Sequence, residues 1–487
     1  MTIPAEMIIL DPEEDGTLQS RIQERVAEAI LSGRFRAGER LPSSRALARH
    51  LGVSRITVTL AYAELLSDDY IASRGRSGYY VSEDAPRPTE FTLSQSRETV
   101  DWSRAIGQRF SGAARLEKPA DWRSYRYPFI YGQADETLFD HASWRQSALR
   151  ALGQRDFDAM TIDYNDADDP RLVEFILRHT LPRRGIAADA DEILITLGAQ
   201  NALWLAAQVL LTQRRTAAFE DPCYPPLREI LTQSRCHLAP VSVDAGGLRP
   251  EEIPPDSNIV FVTPSHQCPT TATMPMTRRR ALLKRAAAED FLIVEDDYEF
   301  EMAFQDATSP ALKSMDRDGR VIYVGSFSKS LFPGLRLGYL VGSPAFIAEA
   351  RALRATVLRH PPGVIQRTAA HFLSLGHYDA LIRRMGRAYS SRRKVMEASI
   401  RAEGLTMANP RMAGGSSFWM RAPDEVDTNA LAKSLRARSV LIEPGRPFFS
   451  DDDAPKNYYR LAYSSIPEDR IAEGVGLIAA ELRNGKY

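Results

Sequence analysis

Cysteine is scarce in this chain. Only Cys223, Cys236 and Cys268 occur among 487 residues, with no CxxC spacing. That excludes a disulfide framework, argues against a structural zinc site, and points to a reducing compartment. Long apolar runs are missing too: nothing approaches the roughly 18 residues a membrane helix needs. The opening MTIPAEMIILDPEED is acidic where a secretory leader is basic, so the expected location is the cytoplasm, away from any membrane. Net charge is nearly absent, with 62 Lys and Arg against 63 Asp and Glu, which excludes a uniformly basic nucleic-acid coat. No internal repeat or low-complexity tract is visible. What is present, 44% hydrophobic and 26% charged residues, is ordinary for a soluble globular protein. The length exceeds one core and suggests roughly three domain-sized units.

The balanced total hides an uneven distribution. Residues 16–83 hold ten arginines and no lysine against seven acids, a local excess of three positive charges. The acids of residues 1–15 partly mask it. Apolar or small residues at Leu18, Ile22, Val26, Ala29 and Ile30 predict an amphipathic helix. Gly33 and Gly38 end it. Ser43-Ser44 starts a second helix over 45–51, stopped at Gly52, and Ser54 caps a third running to about Ser67 with Val58, Ala61, Tyr62 and Leu65 inward. Residues 71–74 and 78–81 flank Gly75-Arg76-Ser77 as a tight hairpin. Helix, helix-turn-helix and hairpin in this order make a winged helix. A helix that enters the major groove needs polar or basic residues at its first turn, and Ser54, Arg55, Thr57 and Thr59 stand there. Arg45 lies on the preceding helix and Arg74 and Arg76 on the wing. Arginine can pair with guanine through two parallel hydrogen bonds, and hydroxyls suit phosphates, so double-stranded DNA is the expected partner. The alternative for a bare helix-turn-helix is a solvated basic face on a protein-binding winged helix.

From Glu83 to about Leu116 the periodicity dissolves. Pro86-Arg87-Pro88 and many polar residues predict a linker over 83–116, with a short helix around 102–110. This divides the chain into 1–82, the linker, and 117–487. Beyond the linker, apolar runs at 192–196, 217–220, 258–263, 291–295 and 321–325 alternate with helices, the first over 200–211. Such alternation predicts an α/β domain with a mostly parallel sheet covered on both faces. After Ser343, long helices and short strands near 416–420 and 459–463 predict a smaller α+β C-terminal subdomain.

Chemistry-bearing residues sit at the ends of these strands. They are Gly198-Ala199-Gln200, Tyr224 after Glu220-Asp221-Pro222-Cys223, Glu295-Asp296-Asp297-Tyr298, and Ser326-Phe327-Ser328-Lys329 with Arg336. The set meets the demands of pyridoxal 5'-phosphate (PLP). Lys329 is the amine that holds the aldehyde as a Schiff base. Asp296 faces the pyridine nitrogen, and Tyr298 donates to the ring phenolate oxygen. Ser326, Ser328, the bidentate Arg336 and the backbone N–H groups of Ala199 and Gln200 receive the phosphate. Tyr224 stacks on the ring. Alone, each has an ordinary reading: a surface lysine, a capping or metal-binding acid, a core tyrosine. Together they form an order that one fold requires, each at the C-terminal edge of a strand. No metal site is expected.

Two resemblances sharpen this. Glu39-Arg40-Leu41-Pro42-Ser43-Ser44-Arg45, Leu51-Gly52-Val53-Ser54-Arg55 and Gly75-Arg76-Ser77-Gly78-Tyr79-Tyr80-Val81 resemble the GntR-type winged helix. The match implies that Arg45, Arg55, Thr57 and Thr59 contact DNA and that the wing glycine, Gly75, approaches the minor groove. Residues from about 125 to 480 resemble the fold-type I aminotransferases. Thr263-Pro264-Ser265-His266-Gln267 and the motifs around Asp296 and Lys329 make the whole chain similar to MocR/GabR-type regulators, which fuse the two parts. That similarity implies PLP as cofactor and an amino-compound effector that exchanges with Lys329 to form an external aldimine. It also implies Arg460 as the arginine for the effector's acidic group. Tyr164 matches a tyrosine that reaches the phosphate of a neighbouring subunit, implying a head-to-tail, domain-swapped homodimer. Relatives of this architecture respond to γ-aminobutyrate, taurine, other amino acid derivatives or PLP itself. The chain departs from the pattern at Cys268-Pro269-Thr270-Thr271, where the family has an aromatic residue and Pro-Thr-Gly. It departs again at 165–170, which lacks a glycine common before Leu172. A PLP-dependent regulator, more than an enzyme though with room for a residual transamination half-reaction, is the leading expectation. Beside it stand a working aminotransferase with a DNA-binding appendage and a winged-helix protein whose large domain takes no cofactor.

Overall fold

The structure, a computed structural model, describes residues 2–11, 15–86, 99–111, 118–133, 135–163, 166–302, 310–409, 414–451 and 453–485. It forms two compact units, Met1–Arg109 and Phe110–Tyr487.

The first unit contains α1 (Leu18–Leu31), α2 (Ser44–Leu51), α3 (Arg55–Ser67) and the antiparallel pair β1 (Ile71–Ser73) and β2 (Tyr79–Val81). Each helix begins on a hydroxyl that accepts an otherwise unpaired N–H: Thr17 from Ser20, Ser43 from Ala46 and Ser54 from Thr57. Gly52 ends α2 at φ +69°, a left-handed cap that costs glycine little. Val58, Ala61, Tyr62 and Leu65 of α3 meet Ile22, Val26 and Leu47 in one core. The Tyr62 hydroxyl donates to the Pro42 carbonyl at 2.9 Å and so ties α3 to the start of α2. The N-terminal segment joins this core, as the charge pattern alone did not suggest. Ile3 N–H donates to the Arg40 carbonyl at 2.7 Å, and Ile3 and Ile8 are buried. The helix expected around 102–110 is a single turn, Trp102–Ala105. Trp102, Ile106 and Phe110 are exposed, so no apolar face docks to prolong it.

In the second unit the strands are β3 (Tyr127–Pro128), β4 (Ile193–Thr196), β5 (Thr216–Asp221), β6 (His237–Asp244), β7 (Gly247–Leu248), β8 (Ser257–Val262), β9 (Leu292–Asp296), β10 (Val321–Ser326) and β11 (Gly338–Val341). Strands β4 to β11 form one eight-stranded sheet in the order β4-β11-β10-β9-β8-β5-β6-β7. Its centre is parallel, while β11 runs antiparallel to both neighbours and β7 antiparallel to β6. Both faces are buried. Ile193, Ile195, Tyr323, Tyr339 and Val341 enter one core, and Leu194, Ile322, Val324 and Leu340 enter the other. That two-sided burial explains the near-continuous apolar runs. Strand β6 escaped the sequence reading because most of its side chains face solvent.

Four further strands, β12 (Thr406–Met407), β13 (Ser417–Arg421), β15 (Glu443–Pro444) and β16 (Tyr458–Ala462), form the antiparallel sheet β12-β13-β16-β15 of the C-terminal part, while β14 (Val440–Leu441) pairs in parallel with β3. The α/β architecture with a smaller α+β C-terminal part is therefore present as expected. Among the described residues, no helix is long and apolar enough to cross a membrane.

Candidate functional site

On the first unit, α3 carries the expected reading residues at its N-terminal turns. Arg55 and Thr59 are exposed, Ser54 is the exposed cap, and Thr57 is half-buried. The hydroxyls of Ser54 and Thr57 lie 2.8 Å apart, and Thr59 donates to the Arg55 carbonyl at 2.9 Å. Arg55 Nε points to Ser44 Oγ at 3.4 Å, toward the helix that presents exposed Arg45. Arg74, at the wing, stacks on Tyr80 at 4.7 Å from the ring centre. Gly75, at φ +56°, opens the turn Gly75–Ser77 that has Arg76 at its middle. No acid occurs on α2, nor on α3 before Glu64, so this face is basic.

In the second unit, strand ends assemble the other site. Asp296 is the last residue of β9 and is paired with Val324 of β10. Two residues beyond Val324, Ser326 ends β10, and the chain turns to bring in Ser328 and Lys329. Asp296 is buried with Oδ1 lacking any partner. Burial, reinforced by Asp297, pushes its pKa up to about 8. The carboxylate therefore needs a cationic or N–H partner to stay charged. Behind it, Asp297 is fixed by the buried Arg184 at 2.7 Å and by the Tyr323 hydroxyl at 2.8 Å.

A second orphan is Ser328 Oγ, also buried and unpartnered. It flanks Gly198, which sits at φ +84° immediately before the helix Ala199–Leu210. A Cβ on Gly198 would stand 3.5 Å from the Arg336 guanidinium and 3.6 Å from Ser328 Oγ. The missing side chain leaves a cup lined by a hydroxyl, a guanidinium and the first-turn N–H groups of Ala199 and Gln200. That is the donor set for a phosphate. Arg336 is exposed and adopts φ +51°, an uncommon backbone conformation for arginine. Ser326 Oγ accepts the Ser328 N–H at 3.2 Å, which shapes the turn.

Lys329 Nζ lies 4.2 Å from the centre of the Tyr131 ring, and Arg460 Cζ lies 4.2 Å from the same centre. The two cations are thus at most 8.4 Å apart. Burial lowers the Lys329 pKa to about 8, partly opposed by Glu299. Arg460 is buried on β16 and faces Glu443 of β15 in register, with Nε to Oε2 at 2.8 Å. Burial works against its charge, but Glu443, with Cys268 and Tyr131 beside it, outweighs that and keeps it ionised. Cys268, one of the departures noted above, takes part here with its Sγ 3.9 Å from Arg460. Tyr224 and Tyr298 are half-buried and pack against the cluster of Cys268, Trp419 and Phe448. Glu220 accepts from Thr263 Oγ1 and from Gln267 Nε2, and burial raises its pKa to about 7. Tyr164 lies outside the described residues.

The sequence reading missed Tyr131, Gly132 and Glu443. Tyr131-Gly132 follows a two-residue strand with no motif of its own, and Glu443 is recognisable only once β15 and β16 are paired. Asp296 and Ser326 end adjacent parallel strands, Gly198 brings Ser328 and Arg336 together, and Tyr131 brings Lys329 and Arg460 together. The unpartnered Asp296 oxygen, the Gly198 cup and the half-buried lysine fit PLP.

Residues 18–81 match the bacterial regulatory proteins of the gntR family, and residues 134–478 match aminotransferase class I and II. Fold and matches together define a winged-helix transcriptional regulator built with an aminotransferase-like domain. The HTH-type transcriptional regulator TauR of Rhodobacter capsulatus is 57% identical over 99% of this chain and all of its own length. The probable rhizopine catabolism regulatory protein MocR of Rhizobium meliloti is 30% identical over 96% of this chain and 94% of its own. Among solved structures, α-aminoadipate aminotransferase LysN from Thermus thermophilus, complexed with N-(5'-phosphopyridoxyl)-L-leucine, superposes with a TM-score of 0.70 at 26% identity, covering 79% of this chain and 98% of that one. The chain belongs to the MocR-type family of transcriptional regulators.

Proposed function

We propose that this protein is a PLP-dependent transcription regulator that binds operator DNA through α2, α3 and the wing, and senses a small acidic amino compound at Lys329. The supporting observation is the placement of Lys329 Nζ and Arg460 Cζ against one ring, Tyr131, in a chain whose other unit exposes Arg45 and Arg49 on α2 and Arg55 at the first turn of α3. When bound, the cofactor supplies an aldehyde that condenses reversibly with primary amines, so the lysine and an effector amine compete for one carbon.

The residues divide the remaining work. Asp296 would hold a proton on the pyridine nitrogen, which gives its orphan oxygen a partner. Asp297, Arg184 and Tyr323 keep the strand end rigid behind it. Ser326, Ser328, Arg336 and the N–H groups of Ala199 and Gln200 would take the phosphate, with Tyr164 completing it in a head-to-tail, domain-swapped homodimer. Tyr298 would donate to the ring oxygen, and Tyr224 would cover the ring. Arg460 would receive the effector's acid, its Nε already held by Glu443. An effector can change DNA binding only through different affinities for two arrangements of the dimer. Titrating the full-length, cofactor-loaded chain with a panel of amines, while reading visible absorbance and DNA binding together, tests this. An amine that shifts both in parallel supports it, and spectral change without any change in DNA binding counts against sensing.

Because Lys329, Asp296 and Arg460 are all retained, a complete transamination cycle is the competing reading. Turnover of about 1–10³ s⁻¹ with an amino acid and a keto acid would favour it. Two substitutions probe the parts separately. Gly132 adopts φ +73°, and a Cβ there would overlap Lys329 Nζ. Gly132→Ala is therefore expected to reduce cofactor loading, read as lost visible absorbance, with the N-terminal unit's DNA binding unchanged. Arg55→Ala should weaken binding at a cognate site by about 1–3 kcal/mol if it reads a base. An unchanged isotherm at matched salt removes that role.

A further inference from the structure

Ile56 is the second residue of α3 and is 72% exposed, the highest value among the large apolar side chains of the described residues. It adds nothing to the fold. The inward face of α3 is complete with Val58, Ala61, Tyr62 and Leu65, all fully buried. A β-branched residue at an exposed helical position also costs helix propensity relative to alanine. Leu60, one turn further along the same stripe, is 48% exposed. The two helices that carry this stripe and its neighbours are positively charged up to that point: Arg45 and Arg49 of α2 and Arg55 of α3 are exposed, Arg55 Nε lies 3.4 Å from Ser44 Oγ of α2, and no acid precedes Glu64 on either helix. The surroundings call for a polyanion, whereas the side chain itself calls for a methyl or methylene group.

Duplex DNA offers both. Its major groove carries one prominent apolar feature, the thymine C5-methyl, beside the acceptors that arginine reads on guanine. First-turn residues of a recognition helix are the ones that reach base edges. In that turn the Ser54 and Thr57 hydroxyls engage each other, and just beyond it the Thr59 hydroxyl donates to the Arg55 carbonyl. Arg55 and Ile56 remain as its exposed long side chains.

We infer that Ile56 is a specificity-determining residue that packs on a thymine methyl next to the base pair read by Arg55. This rests on the N-terminal unit being a DNA reader, and the test separates the two claims. The full-length chain is used to select duplexes from a randomised pool. Each thymine of the recovered site is then replaced by uracil, which removes only the methyl. The expected result is one thymine per half-site whose replacement weakens wild-type binding about fourfold, the factor that corresponds to burial of one methyl-sized group. Ile56→Ala should bind the thymine duplex correspondingly more weakly and no longer distinguish uracil from thymine there. 5-Methylcytosine at a mismatched cytosine in that position should restore part of the wild-type contact but none of the variant's.

A recovered site at which uracil is tolerated everywhere overturns the methyl contact and leaves DNA reading intact. An Ile56→Ala variant that keeps the wild-type uracil sensitivity, or that weakens both duplexes equally, overturns it as well and points to another partner for the side chain. Failure to recover any sequence, with no salt-dependent binding to any duplex, removes the DNA-reading premise itself.

Discussion

Lys329→Ala is expected to abolish the visible absorbance that wild-type protein gains with added PLP, and with it any response of DNA binding to amines. Basal affinity for DNA should persist, because the winged helix has its own core. The size of the effect follows from the amine's environment. Burial holds its pKa at about 8. At pH 7 about a tenth of the population is therefore neutral and nucleophilic, against roughly three in ten thousand for an ordinary lysine. Only the neutral amine condenses with an aldehyde. Cofactor uptake should accordingly rise with pH and level off above about 8. Lys329→Arg, which keeps a charge but cannot condense in this way, should behave as the alanine variant does in the visible spectrum. Absorbance retained by either variant would assign the bond to a different group.

Asp168→Ala is expected to destabilise the larger unit by about 3–5 kcal/mol, the cost of leaving a buried ionic partner uncompensated. Asp168 has no exposed side-chain surface. It meets Arg354 at 2.5 Å and Arg351 at 2.8 Å, and it accepts the Ile195 N–H at 3.1 Å. Arg354 is itself fully buried, and burial lowers its pKa against the opposing pull of Asp168. Removing the carboxylate leaves that guanidinium with the Ile195 carbonyl at 2.6 Å as its partner. Urea denaturation should show the loss in the transition of the larger unit. A change below about 1 kcal/mol would mean that water reaches Arg354 and the pair behaves as a surface bridge.

Asp168 also shows how far a chain can be read without its fold. It lies in a segment visible only as a departure from a familiar pattern. Its neighbour Asp169 caps the helix Pro170–Phe175 and pairs with the buried Arg367 at 2.7 Å. Both acids are structural: the cap is local to Asp169, but the arginines that pair with the two acids lie far along the chain, so nothing nearby marks those pairs. Strand β11 was likewise unannounced. Its four residues are apolar, but the pairing that inserts it antiparallel between β4 and β10 is non-local. By contrast, Asp296 at the end of β9 and Ser326 at the end of β10 were legible. An apolar run terminated by a polar residue marks the edge of a buried parallel strand, and that edge is where such sheets bind ligands.

The chain's order of residues determined, by itself, whatever depends on neighbours a few positions apart. That includes the hydroxyl caps of α1, α2 and α3, the inward stripe of α3, the alternation of strands with helices, and the clusters that end in Asp296 and Lys329. Hydrogen bonds to the next turn and side-chain periodicity act over a few residues, so they leave a trace in the sequence. Only the tertiary structure decided that Tyr131 contacts both Lys329 and Arg460, that Glu443 holds Arg460, that Gly132 leaves room for the lysine amine, and that Ile3 and Ile8 complete the winged-helix core. Those contacts join residues brought together by sheet register and core packing, and such distances are set by the folded chain as a whole.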